Sequence, residues 1–212
     1  MNRGQNLFVI YETLNAHFGD LHWWPGDSPF EVIVGAILTQ NTAWRNVERA
    51  INNLKLKRLL SPEGILKTED QALADLIRPA GYYNVKTQRL KSFLRFLYEE
   101  YNGNLCNMFA EDLWYLRRKL LKVKGIGEET ADSILLYAGG KPIFVIDAYT
   151  RRILLRHDII RGDATYKDIQ SLFMTHLPED VPLYNQYHAL LVNVGKSFCH
   201  NKPRCDVCPL YE

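Results

Sequence analysis

Apolar residues recur at three- and four-residue steps along almost the whole chain, and strict alternation is rare. That period places one apolar stripe on each of a series of helices and gives no segment the two-residue period of a half-buried strand. Turn and cap residues divide the series into about ten short helices. Leu7, Ile10, Tyr11 and Leu14 mark the first, ended near Gly19. Ser28, followed by Pro29, opens a helix carrying Phe30, Ile33, Val34, Ile37 and Leu38. Others are expected from Asn41-Thr42 to about Leu54, after Ser61-Pro62, from Thr68 to Ile77, and over 84–101, 111–122, 129–138, 148–156, 165–175 and 183–197. Valine and isoleucine run together only around Ile143–Ile146, too short a stretch to support a sheet. The expected fold class is all-α.

Composition narrows the class. With 47% hydrophobic and 12% aromatic residues over 212 positions, the chain can bury a core and is not intrinsically disordered. Four cysteines, 13 glycines and 9 prolines exclude a disulfide framework and a collagen-like repeat. A net charge of +2 does not announce a nucleic-acid binder, but binding needs a basic face rather than a basic total. Acidic residues gather at 99–100, 111–112 and 179–180, away from the basic motifs described next. No apolar run approaches about 18 residues. The start, MNRGQNLFVIYETL, lacks a signal-peptide pattern. A cytoplasmic location is therefore expected, where clustered cysteines bind metal more often than they form disulfides.

Residues 116–138 read LRRKLLKVKGIGEETADSILLYA. One amphipathic helix stops near Val123-Lys124, turns through Gly125-Ile126-Gly127, and gives way to a second at about Glu128. Two glycines around one aliphatic residue allow a tight hairpin, with positive φ where needed. Backbone N–H groups in such a turn can hold a phosphate oxygen, and Lys122 and Lys124 add attraction to a polyanion. A plain αα-hairpin with surface lysines is the alternative. Further on, Ile143-Phe144-Val145-Ile146 delivers Asp147 to the start of another helix, where it is either an N-cap or a functional carboxylate.

With KGIGEETADSILLYA followed by VIDAY, the chain resembles the helix-hairpin-helix (HhH-GPD) DNA glycosylases of the endonuclease III superfamily. The resemblance covers nearly the whole chain and implies a base-excision repair enzyme that flips a damaged nucleotide out of double-stranded DNA. It also implies two helical lobes. A six-helix barrel lobe with the hairpin would span 25–133, and a lobe of terminal helices with an iron–sulfur loop would span 1–24 and 134–212. By motif, Asp147 is the catalytic carboxylate, and Lys124, Gly125, Ile126 and Gly127 bind DNA phosphate. An ionised Asp suits the chemistry, because breaking an N-glycosidic bond builds positive charge on the sugar.

Members of the family that also cleave the strand place a nucleophilic lysine two residues after the second hairpin glycine. Here that position is Glu129, which implies a monofunctional enzyme using water, with abasic-site lyase activity in doubt. Glu129 is grouped with the base-binding residues; its other reading is negative charge at a helix N-terminus. The segments His22-Trp23-Trp24-Pro25, Leu38-Thr39-Gln40-Asn41-Thr42-Ala43-Trp44 and Ile77–Lys86 resemble the endonuclease III-like 3-methyladenine DNA glycosylases. That likeness implies a flipped purine sandwiched by Trp44 and by Trp23 or Trp24. Aromatic faces stack on a flat, cationic alkylated base and attract its charge. Gln40 matches the residue that fills the gap in the duplex, and the 77–86 loop matches one that meets the opposite strand. Lys86, Arg89, Lys91 and Arg95 read as the solvated face of a helix.

Cys199, Cys205 and Cys208 are spaced C-x5-C-x2-C, with Lys196, Lys202 and Arg204 among them. The family holds a 4Fe–4S cluster here on four cysteines, so the resemblance implies a cluster whose fourth ligand this chain does not supply. A Cys3His zinc site using His200, or no metal, are the alternatives. Lys202 and Arg204 would then face backbone phosphates, while Cys106 would pack as a small apolar residue. The expected protein is a monomeric bacterial or archaeal enzyme, nucleoid-associated and not membrane-bound. An endonuclease III-like glycosylase and lyase acting on oxidised pyrimidines, and a non-catalytic binder of damaged DNA, are the rival readings.

Overall fold

The computed structural model describes residues 3–23 and 26–211. Among them are twelve α-helices and no strand. They are α1 (Arg3–Phe18), α2 (Pro29–Leu38), α3 (Trp44–Leu56), α4 (Pro62–Lys67), α5 (Asp70–Leu76), α6 (Tyr83–Tyr101), α7 (Leu105–Phe109), α8 (Leu113–Leu120), α9 (Glu128–Ser133), α10 (Ala148–Arg156), α11 (Tyr166–His176) and α12 (Val181–Ser197). Local chemistry sets many of the boundaries. The hydroxyls of Ser28 and Ser61 accept from the backbone N–H groups of Glu31 and Gly64, each with proline at the first helical position. Thr165 and Asp168 form a reciprocal capping box at the start of α11. No described helix is long and apolar enough to cross a membrane.

The chain divides into two units, one made of residues 26–139 and the other of residues up to 25 together with 140–212. The break falls after Gly139 rather than after residue 133, because Ile134–Ala138 continue α9 as a turn of π-helix and pack on α2. In the middle unit α2 is the core helix, buried from Phe30 to Leu38. A helix apolar on every face must be surrounded, and α3, α6, α9 and the π-turn surround it.

Helix α6 departs from its expected solvated face. Lys86 is fully buried, and its Nζ donates to the carbonyls of Leu38 at 2.8 Å and Ala80 at 2.7 Å. Lys91 is also buried and donates to Thr68 O and to the Asp70 carboxylate. These lysines satisfy carbonyls at the ends of shorter helices, a role that a chain-local pattern does not reveal. Burial pushes the Lys86 ammonium down to about 8, with Arg89 adding to the effect. Cys106, expected to be packed, is exposed.

Helices α8 and α9 are locked by a bidentate pair. Arg117 donates Nε to Asp132 Oδ1 at 2.7 Å and Nη2 to Oδ2 at 3.0 Å, and Asp132 is fully buried. The acidic residues near 100 and 111 are not remote from this hairpin. Lys119 of α8 pairs with Glu100 at 3.0 Å and Glu111 at 3.4 Å. A cavity of about 410 Å³ places Glu99 and Glu100 with Lys122 and Lys124.

The terminal unit is built on α12, which packs on α1 and α10. Phe144 stacks on Phe173 with ring centres 3.9 Å apart, and Tyr184 and Tyr187 meet Phe144 edge-on. The Tyr187 hydroxyl donates to Leu7 O at 2.7 Å. The apolar stretch 143–146 is buried without a sheet partner. Side chains satisfy part of its backbone: Gln170 Nε2 donates to Phe144 O, and the Ile146 N–H donates to the Tyr166 hydroxyl.

Candidate functional site

The hairpin between α8 and α9 closes with an Ile126 N–H to Val123 C=O bond of 3.0 Å and a buried Ile126 side chain. Of its two glycines only Gly125 has positive φ, at +91°. A Cβ there would lie 2.4 Å from Arg89 Cγ, so glycine is required twice over. Gly127 differs. Its φ of −93° suits any residue and no atom lies within 4 Å of a Cβ built on it, so nothing described in the protein demands a glycine. Lys124, Gly125, Gly127 and Glu129 are all exposed, which leaves the outer surface of the turn open to solvent.

Gln40, half-buried just beyond α2, is tied into this turn. Its Nε2 donates to Gly125 O at 3.0 Å and to Thr130 Oγ1 at 2.8 Å, and its Oε1 accepts from Arg89. The polar partner that a glutamine after the apolar run VIVGAIL needs is thus the hairpin itself. Arg89 both fills the space behind Gly125 and holds Gln40, a function the sequence pattern gave no sign of.

Asp147 is the N-cap of α10. Its Oδ1 accepts the Thr150 N–H at 2.7 Å, and its side chain is 12% exposed. Its Oδ2 lies 3.7 Å from Nε2 of His188, a buried residue of α12. Burial lowers the His188 pKa, the Asp147 carboxylate opposes that shift, and Lys196 adds to it. Both oxygens of the carboxylate therefore have a neighbour that can hold them. His188 immediately precedes the apolar run ALLV, and its only sequence signal is a polar ring on a buried helix face.

The aromatic candidates lie in both units. Trp44 is the first residue of α3, half-buried, and its Nε1 donates to Glu48 Oε1 at 2.9 Å. Trp23, in the other unit, carries Lys196 Nζ 5.3 Å from its ring centre. Trp24 lies outside the described residues.

Near the C-terminus Cys199 is buried, Cys205 exposed and Cys208 half-buried. Arg156 donates to Cys199 Sγ at 3.1 Å and to His200 O at 2.6 Å, and Arg152 donates to Cys199 O at 2.7 Å. Burial pushes the Cys208 thiol up, with Cys199 and Cys205 both adding to the effect. A set of cysteine sulfurs is the donor chemistry that iron–sulfur clusters and zinc take. No group of three or more His, Cys, Asp or Glu among the described residues is already drawn together to hold a single metal ion. Lys202 and Arg204 are exposed on the same loop.

Residues 34–179 match the family model described as HhH-GPD superfamily base excision DNA repair protein. A Methanocaldococcus jannaschii protein named as a DNA repair glycosylase is 47% identical over 213 aligned positions, spanning 100% of this chain and 96% of its own. The endonuclease III of Thermotoga maritima is 29% identical over 85% of this chain and 79% of its own. Among solved structures, the H. pylori 3-methyladenine DNA glycosylase bound to 1,N6-ethenoadenine superposes with a TM-score of 0.78. It is 27% identical and covers 92% of this chain and 98% of its own. A trapped endonuclease III–DNA covalent intermediate shares the fold at a TM-score of 0.84 and 22% identity, covering 99% of this chain and 94% of its own.

Proposed function

The chain belongs to the HhH-GPD superfamily of base excision DNA repair proteins and is a DNA glycosylase, and from that premise we propose that it is monofunctional, hydrolysing the N-glycosidic bond of an alkylated purine such as 3-methyladenine. The observation that carries the reading is Asp147: a nearly buried carboxylate fixed at a helix start by its own N-cap bond. Water attacks C1′ of the flipped nucleotide, the bond to the base nitrogen breaks with its electron pair leaving on the base, and Asp147 takes the proton of the water. While positive charge builds on the sugar, the same carboxylate stabilises it.

Glu129 supports the hydrolytic route, since no lysine occupies the first turn of α9 (Glu128-Glu129-Thr130) to form a Schiff base. Trp44 and Trp23 or Trp24 stack on the cationic base, and the likeness to the H. pylori enzyme supports that substrate class. Lys124, Gly125, Ile126 and Gly127 take a backbone phosphate, and the open space around Gly127 supports a close approach there. Gln40 enters the duplex after releasing the hairpin. Lys202 and Arg204 add phosphate contacts from the cysteine loop. Cys199, Cys205 and Cys208 would hold a 4Fe–4S cluster, which would stiffen that loop when bound and supply no step of the hydrolysis. Iron and sulfide analysis with a visible spectrum tests it; an iron-free, colourless protein removes the cluster.

The decisive assay is a labelled duplex with one methylated purine. Base release by the wild type and none by Asp147→Asn is expected. Release by Asp147→Asn at the wild-type rate would refute the assignment. Borohydride trapping on an abasic duplex should give no covalent adduct; an adduct would mean a lyase.

A further inference from the structure

We infer that His188 is a positioning residue for Asp147, donating its Nε2–H to Oδ2 so that the carboxylate is held by both oxygens, one from its own helix and one from α12. This rests on the proposed catalytic role of Asp147. The two groups belong to the same unit and to helices packed on each other, α10 and α12. Oδ1 is committed to the Thr150 N–H at 2.7 Å, which fixes one end of the carboxylate and leaves rotation about that bond as its remaining freedom. His188 Nε2 stands 3.7 Å from Oδ2, a separation that shortens to a hydrogen bond with a small side-chain movement, as catalytic contacts do when substrate is bound. His188 is 5% exposed, so water does not replace the ring at that position. Among the charged groups acting on it are Asp147 across the helix interface and Lys196 two turns along α12. Burial and Lys196 keep the ring neutral, and a neutral imidazole with its proton on Nε2 donates without adding positive charge that would oppose the developing sugar cation.

A donor to the charged form of a carboxylate keeps it ionised to lower pH. In single-turnover base release, His188→Leu is therefore expected to move the acid limb of the pH profile to higher pH. Affinity for the damaged duplex should stay unchanged, and His188→Asn, which keeps an N–H donor, should restore most of the shift. An unmoved acid limb in folded His188→Leu would overturn the inference. Imidazole 15N shifts of the intact wild-type protein give a second test that needs no variant. The Nε2–H tautomer is expected at neutral pH, and an Nδ1–H tautomer with bare Nε2 would overturn the inference equally. Failure of the underlying assignment is distinguishable, because it appears as undiminished base release by Asp147→Asn.

Discussion

Removing the carboxylate of Asp132 strands a charge at the base of the hairpin. Arg117 is 14% exposed and Asp132 not at all, and two bonds of 2.7 and 3.0 Å join them. Breaking one partner of such a buried pair destabilises by about 3–5 kcal/mol, because the survivor has lost water and gained nothing in return. Glu128 lies 3.5 Å from Arg117 and is 45% exposed, so it recovers a small part. Asp132→Ala is expected to lose about 3–4 kcal/mol, or roughly 6–16 °C in Tm for a chain of this size. Arg117→Ala should lose a similar amount. The double variant Arg117→Met with Asp132→Leu replaces the pair by apolar volume and should lie within about 1.5 kcal/mol of the wild type, so the singles are strongly non-additive. Urea unfolding of the wild type, Arg117→Met, Asp132→Leu and the double variant measures the cycle. Because the pair joins α8 to α9, each single variant should also weaken DNA binding at temperatures where it remains folded. Single losses below about 1 kcal/mol, or additive singles, would refute the claim that this pair holds the hairpin.

Three further predictions address separate parts of the molecule. The Lys86 pKa falls to about 8 in the folded protein against about 10.4 unfolded, so the unfolded chain binds the extra proton in between. Stability contributed by this group is therefore present above about pH 10.5 and is lost as pH falls towards 8, by up to about 3 kcal/mol. The difference between wild type and Lys86→Met, followed by urea unfolding across that range, should show this slope, and a flat difference counts against it. Gly125→Ala must place a Cβ at φ +91° against Arg89 and should lose about 2 kcal/mol, while Gly127→Ala should fold within about 0.5 kcal/mol of wild type. Both should lower DNA affinity, and a Gly127→Ala protein binding as tightly as wild type would exclude backbone approach at that turn. Asp147→Asn keeps the N-cap and should melt as the wild type does while losing base release; Asp147→Ala should also lose about 1 kcal/mol, and thermal melts separate the two effects.

What the sequence determined by itself rests on interactions spanning a few residues. The three- and four-residue period, Ser28 and Ser61 ahead of proline, the Gly-Ile-Gly turn and the Asp147 cap are all local. Their partners lie one helical turn away, so the residues carry their own geometry. What tertiary structure decided depends on groups far apart in the chain. Lys86 reads as surface charge until the carbonyls of Leu38 and Ala80 close around it. Gln40 matches a residue that fills a gap in the duplex, but only the fold brings the hairpin, 85 residues on, to supply its acceptor at Gly125. His188 reads as a polar interruption of an apolar helix until α12 packs on α10 and brings its ring to Asp147. In each case the side chain is polar and at least half-buried, and its desolvation is offset by a partner that the fold brings near, so the residue type alone does not disclose its role.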